Sequence, residues 1–120
     1  MNYSNNKIER RRSPRVKRQV SLKIKLNDYD LVGQTHDISY IGTYCSVNKY
    51  IKPFSLISII LLLPLRINGR SIINNVRCQG VVVRAVEDPK DNNLYNIAIY
   101  FKRLRQSDKA KLLQYVHQYL

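Results

Sequence analysis

Two arginines placed four residues apart stand near the start of the sequence, in the stretch Arg11-Arg12-Ser13-Pro14-Arg15 (RxxxR). A guanidinium group forms paired hydrogen bonds with a phosphate or with the O6/N7 edge of guanine, and it also lies flat over a purine ring. Two such groups on a loop could therefore hold a nucleotide from two sides. The alternative for this stretch alone is a solvated basic segment without a ligand.

A second polar pattern follows at residues 37–42, DISYIG, which has the form DxSxxG. Side chains two positions apart on a strand project from the same face, so the Asp37 carboxylate and the Ser39 hydroxyl could meet one ligand. Guanine offers N1–H and N2–H donors to a carboxylate. Gly42 permits a tight turn or a close approach of the backbone to the ligand. The alternative is ordinary turn chemistry, which uses the same residue types.

The two patterns occur together, separated by residues 16–36, which are typical of a hairpin. In this combination the sequence resembles the PilZ domain family, whose members bind the bacterial second messenger cyclic di-GMP. The resemblance extends over residues 9–120. It implies a mainly β fold, a six-stranded antiparallel β-barrel followed by one C-terminal α-helix, and a receptor for cyclic di-GMP that uses no further cofactor.

The resemblance also implies a role for individual residues. Arg11 and Arg15 match the arginines that grip phosphate and guanine in the family. Asp37, Ser39 and Gly42 match the strand motif that completes the pocket. Together these residues form the predicted ligand site.

Three further positions qualify the match. Arg10 immediately precedes the RxxxR pattern, and an arginine there resembles the family variant that accepts an intercalated dimer of the ligand. Ile41 stands where many members have the first glycine of a pair, and Ile97 stands where a glycine is common in the last strand. The departures at Ile41 and Ile97 concern the backbone near the turn, and every fixed position of the RxxxR and DxSxxG patterns is still occupied by its expected residue.

Hydrophobic periodicity predicts the elements that must position these motifs. Val20, Leu22, Ile24 and Leu26 alternate with polar residues, which is the period of a half-buried strand. The same reasoning, with Gly80 as a bulge or bend, predicts strands over residues 18–26, 29–38, 43–47, 56–63, 71–86 and 94–101. Residues 56–63 are apolar on both faces, which is typical of a central strand.

Only the C-terminal end changes to helical spacing, with apolar residues at positions 112, 113, 116 and 120. We predict one helix of about 13 residues there, with Ser107 as its N-cap and Asp108 in its first turn. A small barrel with a helix packed on it follows from six short strands and one amphipathic helix.

Charge divides the chain into two parts. It carries 21 Lys or Arg against 8 Asp or Glu, a net charge of +13, which indicates an anionic partner. We predict a flexible basic arm over residues 1–18, which holds the RxxxR pattern, and a barrel with its helix over residues 19–120. The arm is expected to order over the ligand and thereby contact an unidentified downstream protein, which in the family belongs to motility, exopolysaccharide or pilus machinery.

Other function classes lack a supporting pattern. No Ser-His-Asp group has a recognisable setting and both glycine-rich phosphate loops are absent, so we expect no enzyme. Cys45 and Cys78 lack the spacing of metal ligands, so we expect reduced thiols near the core and no bound metal. No apolar run reaches the ~18 residues that a membrane span needs, and no secretory signal is recognisable, so we predict a cytoplasmic protein.

Two alternatives remain open. A small barrel with nine Tyr and a basic arm also fits a nucleic-acid-binding protein, but this leaves Asp37 and Ser39 unexplained. A PilZ-like adaptor without nucleotide binding is the second, and complete motifs argue against it. Basic residues at positions 102, 103, 105 and 109 could make protein contacts in an adaptor, although a solvated charged face explains them better.

Overall fold

The computed structural model describes residues 13–120 and contains six β-strands followed by one α-helix. The predicted mainly β fold with a single C-terminal helix is confirmed. The elements are β1 (Ser21–Leu26), β2 (Tyr29–Ile38), β3 (Gly42–Val47), β4 (Leu56–Ile67), β5 (Arg70–Glu87), β6 (Tyr95–Leu104) and α1 (Gln106–Gln118).

The strands close into an antiparallel barrel in the order β1-β2-β3-β6-β5-β4. Pairing of β1 with β4, with Leu22 opposite Leu61, completes the ring. The alternation along β1 explains why it fits this ring, because Leu22 and Ile24 are fully buried while Lys23 and Lys25 are exposed. Each strand therefore contributes one side-chain row to a shared core and one row to the surface.

The turns between strands follow from residue type. Asn27 and Asn68 adopt positive φ angles of 54° and 52°, a conformation that asparagine tolerates better than most residues, and both lie in two-residue hairpin turns. The irregularity predicted at Gly80 is confirmed, since the register with β6 shifts between Gln79 and Gly80. These turns bring neighbouring strands together with the core row facing inward.

β4 is longer than its sequence pattern suggests. The predicted strand ended at residue 63, whereas the structure continues it through Pro64 to Ile67. Proline is tolerated there because β1 pairs with β4 only as far as Leu61, so Pro64 lies where no strand on that side needs its missing donor. The outward row of β4 is exposed or half-buried along its length, and Leu56 is 63% exposed.

The helix starts earlier than its capping signal predicted. Its N-cap is Arg105, in extended conformation and without a side-chain cap, so the prediction of Ser107 as N-cap is wrong. β6 ends at Leu104 and runs directly into α1, which places Ser107 inside the first turn. Asp108 lies in that turn as predicted, and it is buried.

α1 packs against β4 and β5 and buries Leu112, Tyr115 and Val116. Near its end, the Gln118 side chain meets the backbone of Arg66 twice. The Arg66 N–H donates to Gln118 Oε1 at 3.4 Å, and Gln118 Nε2 donates to the Arg66 carbonyl at 3.2 Å. The amide thus pairs with β4 as a neighbouring strand would.

Candidate functional site

The segment before β1 lies against the end of β2. Val16 and Ile38 exchange two backbone hydrogen bonds, of 2.9 and 3.0 Å, in an isolated bridge. Val16 is 3% exposed, because its side chain enters the core beside Ile38. This bridge places Arg15 next to the polar motif at the end of β2.

Thr35 holds the same segment at a second point. Its hydroxyl, on a side chain only 1% exposed, accepts from the Val20 N–H at 2.9 Å and donates to the Arg18 carbonyl at 2.7 Å. Arg18 in turn lies over the Tyr119 ring, with 4.0 Å between the guanidinium carbon and the ring centroid. The chain from Val16 to Val20 is therefore fastened to both β2 and the end of the helix.

Arg15 and Asp37 form an ion pair on the surface. Arg15 Nη1 lies 3.3 Å from Asp37 Oδ1, and that oxygen also accepts from the Tyr44 backbone N–H at 3.3 Å. The Arg15 side chain is 46% exposed and that of Asp37 is 21% exposed. A pair this accessible contributes about 0–1 kcal/mol, so either group can exchange its partner for a ligand at little cost.

Ser39 builds the turn that follows β2. Its hydroxyl accepts from the N–H groups of Ile41 and Gly42 at 3.2 Å and donates to the Gly42 carbonyl at 3.2 Å. β2 ends at Ile38, so Ser39 does not lie on the strand face that it was expected to share with Asp37. Its side chain is 1% exposed and its hydrogen bonds are internal to the turn.

Gly42 lies where two strands approach each other closely. A Cβ atom at this position would be 2.3 Å from the Ile99 carbonyl oxygen. Gly42 faces Tyr100 across the β3–β6 pair, and the Ile41 carbonyl accepts from the Phe101 N–H at 2.8 Å. The glycine of the motif is therefore required by strand pairing. The two departures from the family pattern cause no conflict, because Ile41 is exposed and Ile97 is fully buried in the core.

The structure thus brings four of the predicted site residues to one region, the junction of the Val16 bridge, the end of β2 and the start of β3: Arg15, Asp37, Ser39 and Gly42. Arg10 and Arg11 lie outside the described residues, as does most of the predicted basic arm.

The family's sequence model, described as PilZ domain, matches residues 9–118. The chain belongs to the PilZ domain family. That match includes the RxxxR pattern, the DxSxxG pattern and the whole barrel. No match was found among curated proteins.

Solved PilZ-like structures share this fold. The Bacillus subtilis inhibitor of motility, MotI/DgrA, superposes with a TM-score of 0.73 at 18% identity, over 91% of this chain and 50% of its own. This chain therefore spans about half the length of that protein. The PilZ domain of YcgR from Escherichia coli, solved with c-di-GMP, gives a TM-score of 0.61 at 15% identity, over 92% of this chain and 91% of its own.

A row of hydrogen-bonded polar side chains, which the sequence did not predict, lies beside the DxSxxG pattern on the outer faces of β2, β3 and β6. His36 Nε2 lies 2.6 Å from Ser46 Oγ, the Ser46 hydroxyl donates to Asn96 Oδ1 at 2.7 Å, and Asn96 Nδ2 donates to Asp88 Oδ2 at 3.0 Å. Since the serine hydrogen is directed to Asn96, His36 Nε2 must donate to the serine oxygen. The only sequence signal was the polar character of alternate strand positions.

The far end of this row is a carboxylate stabilised in its charged form. The backbone N–H of Lys90 and then the Asn96 side chain lower the pKa of Asp88 below its usual value. At the other end, the His36 ring lies 5.4 Å from the Tyr44 ring between centroids. Tyr44 also donates its N–H to Asp37, so the row is continuous with the motif.

Both cysteines are buried free thiols, as predicted. Burial raises the pKa of Cys45 to about 12, with a smaller contribution from the Asp37 charge. Burial likewise raises the pKa of Cys78 to about 12, assisted by Asp108. Within residues 13–120, no three His, Cys, Asp or Glu side chains cluster as metal ligands would. The same part of the chain has no helix that is long and apolar enough to span a membrane.

Proposed function

We propose that this PilZ domain is a receptor for cyclic di-GMP that binds the ligand beside the Arg15–Asp37 pair. The observation that carries the proposal is this ion pair. Its guanidinium belongs to the RxxxR pattern and its carboxylate to the DxSxxG pattern, and solvent reaches both groups. Both groups have complementary partners on the ligand, which carries two phosphates and two guanines. The c-di-GMP named for the YcgR domain supports the same ligand class.

Each motif residue has a distinct role in this proposal. Arg15 turns from Asp37 towards a phosphate or a guanine edge, and the released Asp37 accepts guanine N–H donors. Ser39 and Gly42 act indirectly, because they shape the turn and the β2–β3 pairing that hold Asp37. The neighbouring rings of His36 and Tyr44 offer a surface on which a base can stack.

Arg11 completes the arginine clamp in this proposal, and Arg10 supports an intercalated dimer of the ligand. Both stand in the basic stretch before Val16. Ordering of that stretch over the ligand relays the signal to a downstream protein in the cytoplasm. The bridge at Val16 already fixes one end of this stretch, so ligand-dependent ordering concerns the residues before it. The shared fold with MotI/DgrA, an inhibitor of motility, favours a motility partner.

Calorimetric titration with cyclic di-GMP tests the proposal, using Arg15→Ala and Asp37→Asn beside the unchanged protein. Each variant removes a contact of the kind that contributes about 1–3 kcal/mol, so we expect affinities roughly 5–150-fold weaker. Arg77→Ala removes an equal charge from an exposed position on β5, where it pairs with β4, and serves as the matched control. Arg10→Ala should halve the molar ratio if the dimer is bound.

Three results would reject the receptor assignment. The first is absence of saturable binding at about 0.15 M salt, where nonspecific charge attraction is screened, and it would favour the adaptor. The second is an equal loss of affinity in Arg77→Ala, which would reveal nonspecific attraction. Tight, strongly salt-dependent binding of an oligonucleotide with no preference for cyclic di-GMP would favour the nucleic-acid alternative.

A further inference from the structure

An apolar face lies on the outside of β4, β5 and β6, and its edge on β6 stands opposite the start of β3. We define this apolar face as Phe54, Leu56, Val81, Val83 and Tyr100. Phe54 is 81% exposed, Leu56 63%, Tyr100 50% and Val83 49%, and Val81 is half-buried. Isolated apolar residues are normal on a protein surface, whereas a contiguous exposed group of them indicates an interaction site.

Strand register shows that the group is contiguous. Leu56 stands opposite Val81 across β4–β5, and Val81 stands opposite Tyr100 across β5–β6. The turn before β4 is joined to the same place, because the Phe54 N–H donates to the Val82 carbonyl at 2.6 Å. Alternate residues on these strands point into the core, so the members of the apolar face must point outward.

Two local distortions increase the exposure of this face. Phe54 has a φ of 71°, a left-handed conformation that is unfavourable for a bulky aromatic residue, and it presents the most exposed apolar side chain of the described chain. On β5 the register shifts between Val82 and Arg84, and Val83 and Arg84 are both exposed. Packing in the core explains neither distortion, since the side chains of Phe54 and Val83 both point away from the core.

Cations surround the apolar face. Lys52 stands in the turn before Phe54, Arg84 follows Val83, and Lys102 lies two residues beyond Tyr100 on the same side of β6; all three are exposed. β6 contains no acidic residue, and β5 contains none before Glu87. The surface therefore combines protruding apolar side chains with positive charge.

We propose that the apolar face binds an anionic lipid bilayer at its surface. Aromatic and aliphatic side chains insert into the interfacial region, and flanking lysines and arginines are attracted to anionic headgroups. The strands beneath the face are paired on both sides around the ring, which leaves no strand-addition site for a peptide here. A convex face with a projecting phenylalanine fits a deformable lipid layer better than a rigid groove-forming partner.

Vesicle co-sedimentation of the full chain tests this, with phosphatidylglycerol–phosphatidylcholine vesicles compared with phosphatidylcholine alone. We expect partition into the anionic vesicles only. Phe54→Asn should weaken it at least about tenfold because the apolar anchor is lost, while asparagine tolerates the positive φ and preserves the fold. Arg84→Gln should reduce the dependence on phosphatidylglycerol. Thermal unfolding followed by circular dichroism verifies that each variant is folded.

Val32→Thr is the matched control, because Val32 on β2 is as exposed as Leu56 but lies outside the apolar face. Leu56→Thr should weaken binding and Val32→Thr should not. Three outcomes would overturn the proposal: no binding to anionic vesicles, equal binding by Phe54→Asn, or equal loss in Val32→Thr. Cyclic di-GMP titration of the Phe54→Asn and Leu56→Thr variants should be unchanged, so failure here is distinguishable from failure of the receptor assignment.

Discussion

Replacement of Gly42 by alanine should destabilise the barrel at the start of β3. The new Cβ would lie 2.3 Å from the Ile99 carbonyl oxygen, a backbone atom that cannot rotate away. An ordinary contact of this kind begins at about 3.5 Å, so the two strands must separate locally by roughly 1 Å. That movement is enough to break the 2.8 Å hydrogen bond between the Phe101 N–H and the Ile41 carbonyl.

The expected loss is the sum of two effects. Forcing an extra methyl group into a filled space costs about 1–3 kcal/mol, and one lost hydrogen bond adds about 1 kcal/mol. We therefore expect Gly42→Ala to lower the free energy of unfolding by about 2–4 kcal/mol, a large part of the ~5–15 kcal/mol typical of a domain. The nucleotide affinity should also fall, because the same turn positions Asp37.

Urea unfolding followed by tyrosine fluorescence measures this change, since the chain has nine Tyr and no Trp. Gly33→Ala is the matched comparison: its Cβ would lie 2.4 Å from the Ser46 carbonyl oxygen, on the β2–β3 pair away from the turn. It should lose similar stability but retain nucleotide affinity once corrected for the unfolded fraction. Gly69→Ala meets no atom within 4 Å and tests only the cost of its positive φ.

The steric reasoning fails if the free energy of unfolding of Gly42→Ala lies within about 0.5 kcal/mol of that of the unchanged protein while Gly33→Ala is strongly destabilised. A difference of that size is typical of neutral surface substitutions. In that case the glycine would be required for direct contact with the ligand and not for strand pairing. Equal destabilisation of all three variants would also contradict the steric reasoning, because a Cβ at Gly69 meets no atom within 4 Å.

Two further predictions concern stability. Thr35→Val should lower the unfolding free energy by about 2–3 kcal/mol, because the Val20 N–H and the Arg18 carbonyl both lose their partner. Thr35→Ser keeps the hydroxyl and should lose much less in the same urea assay, and equal losses in the two variants would contradict the role given to the hydroxyl. Burial raises the pKa of Cys45 from 9.0 to about 12. The buried neutral thiol therefore contributes fully to the free energy of unfolding below pH 9, and this contribution is lost as the pH rises towards 12. Cys45→Ala should therefore show a shallower fall in stability between those pH values, and identical slopes would contradict the assignment.

The positions of the strands could be predicted from the sequence, because they depend on the pattern of neighbouring residues. Alternation of apolar residues located strands such as β1 and β6, because one face of each has to enter a core that the barrel provides, and a continuous apolar run located β4. Alternation carries no information about which strands pair, so the order of the ring and the bridge at Val16 were not predictable. The end of β4 was missed because Pro64 breaks a strand only when both its sides are paired.

The site followed the same division. The motifs located Asp37 and Arg15, whose contact depends on the bridge between residues 16 and 38. The position of Ser39 was not predictable, because the residue directly after a strand can direct its hydroxyl outward or into the turn, and here it accepts from the N–H groups of the turn. The exposure of Phe54 could not be inferred from its hydrophobicity, which argues for burial.

Gln118 has a consequence for the behaviour of the protein at high concentration. β4 extends beyond its partner β1, and exposed apolar side chains occur on this extension, at Ile67, and on the part of β5 that pairs with it, at Ile72 and Ile73. An uncovered strand with apolar side chains is a template on which a second molecule can add a strand and begin aggregation. By occupying the N–H and carbonyl of Arg66, the Gln118 amide blocks a place where such growth could start. We therefore expect this one helical side chain to help keep the barrel from polymerising.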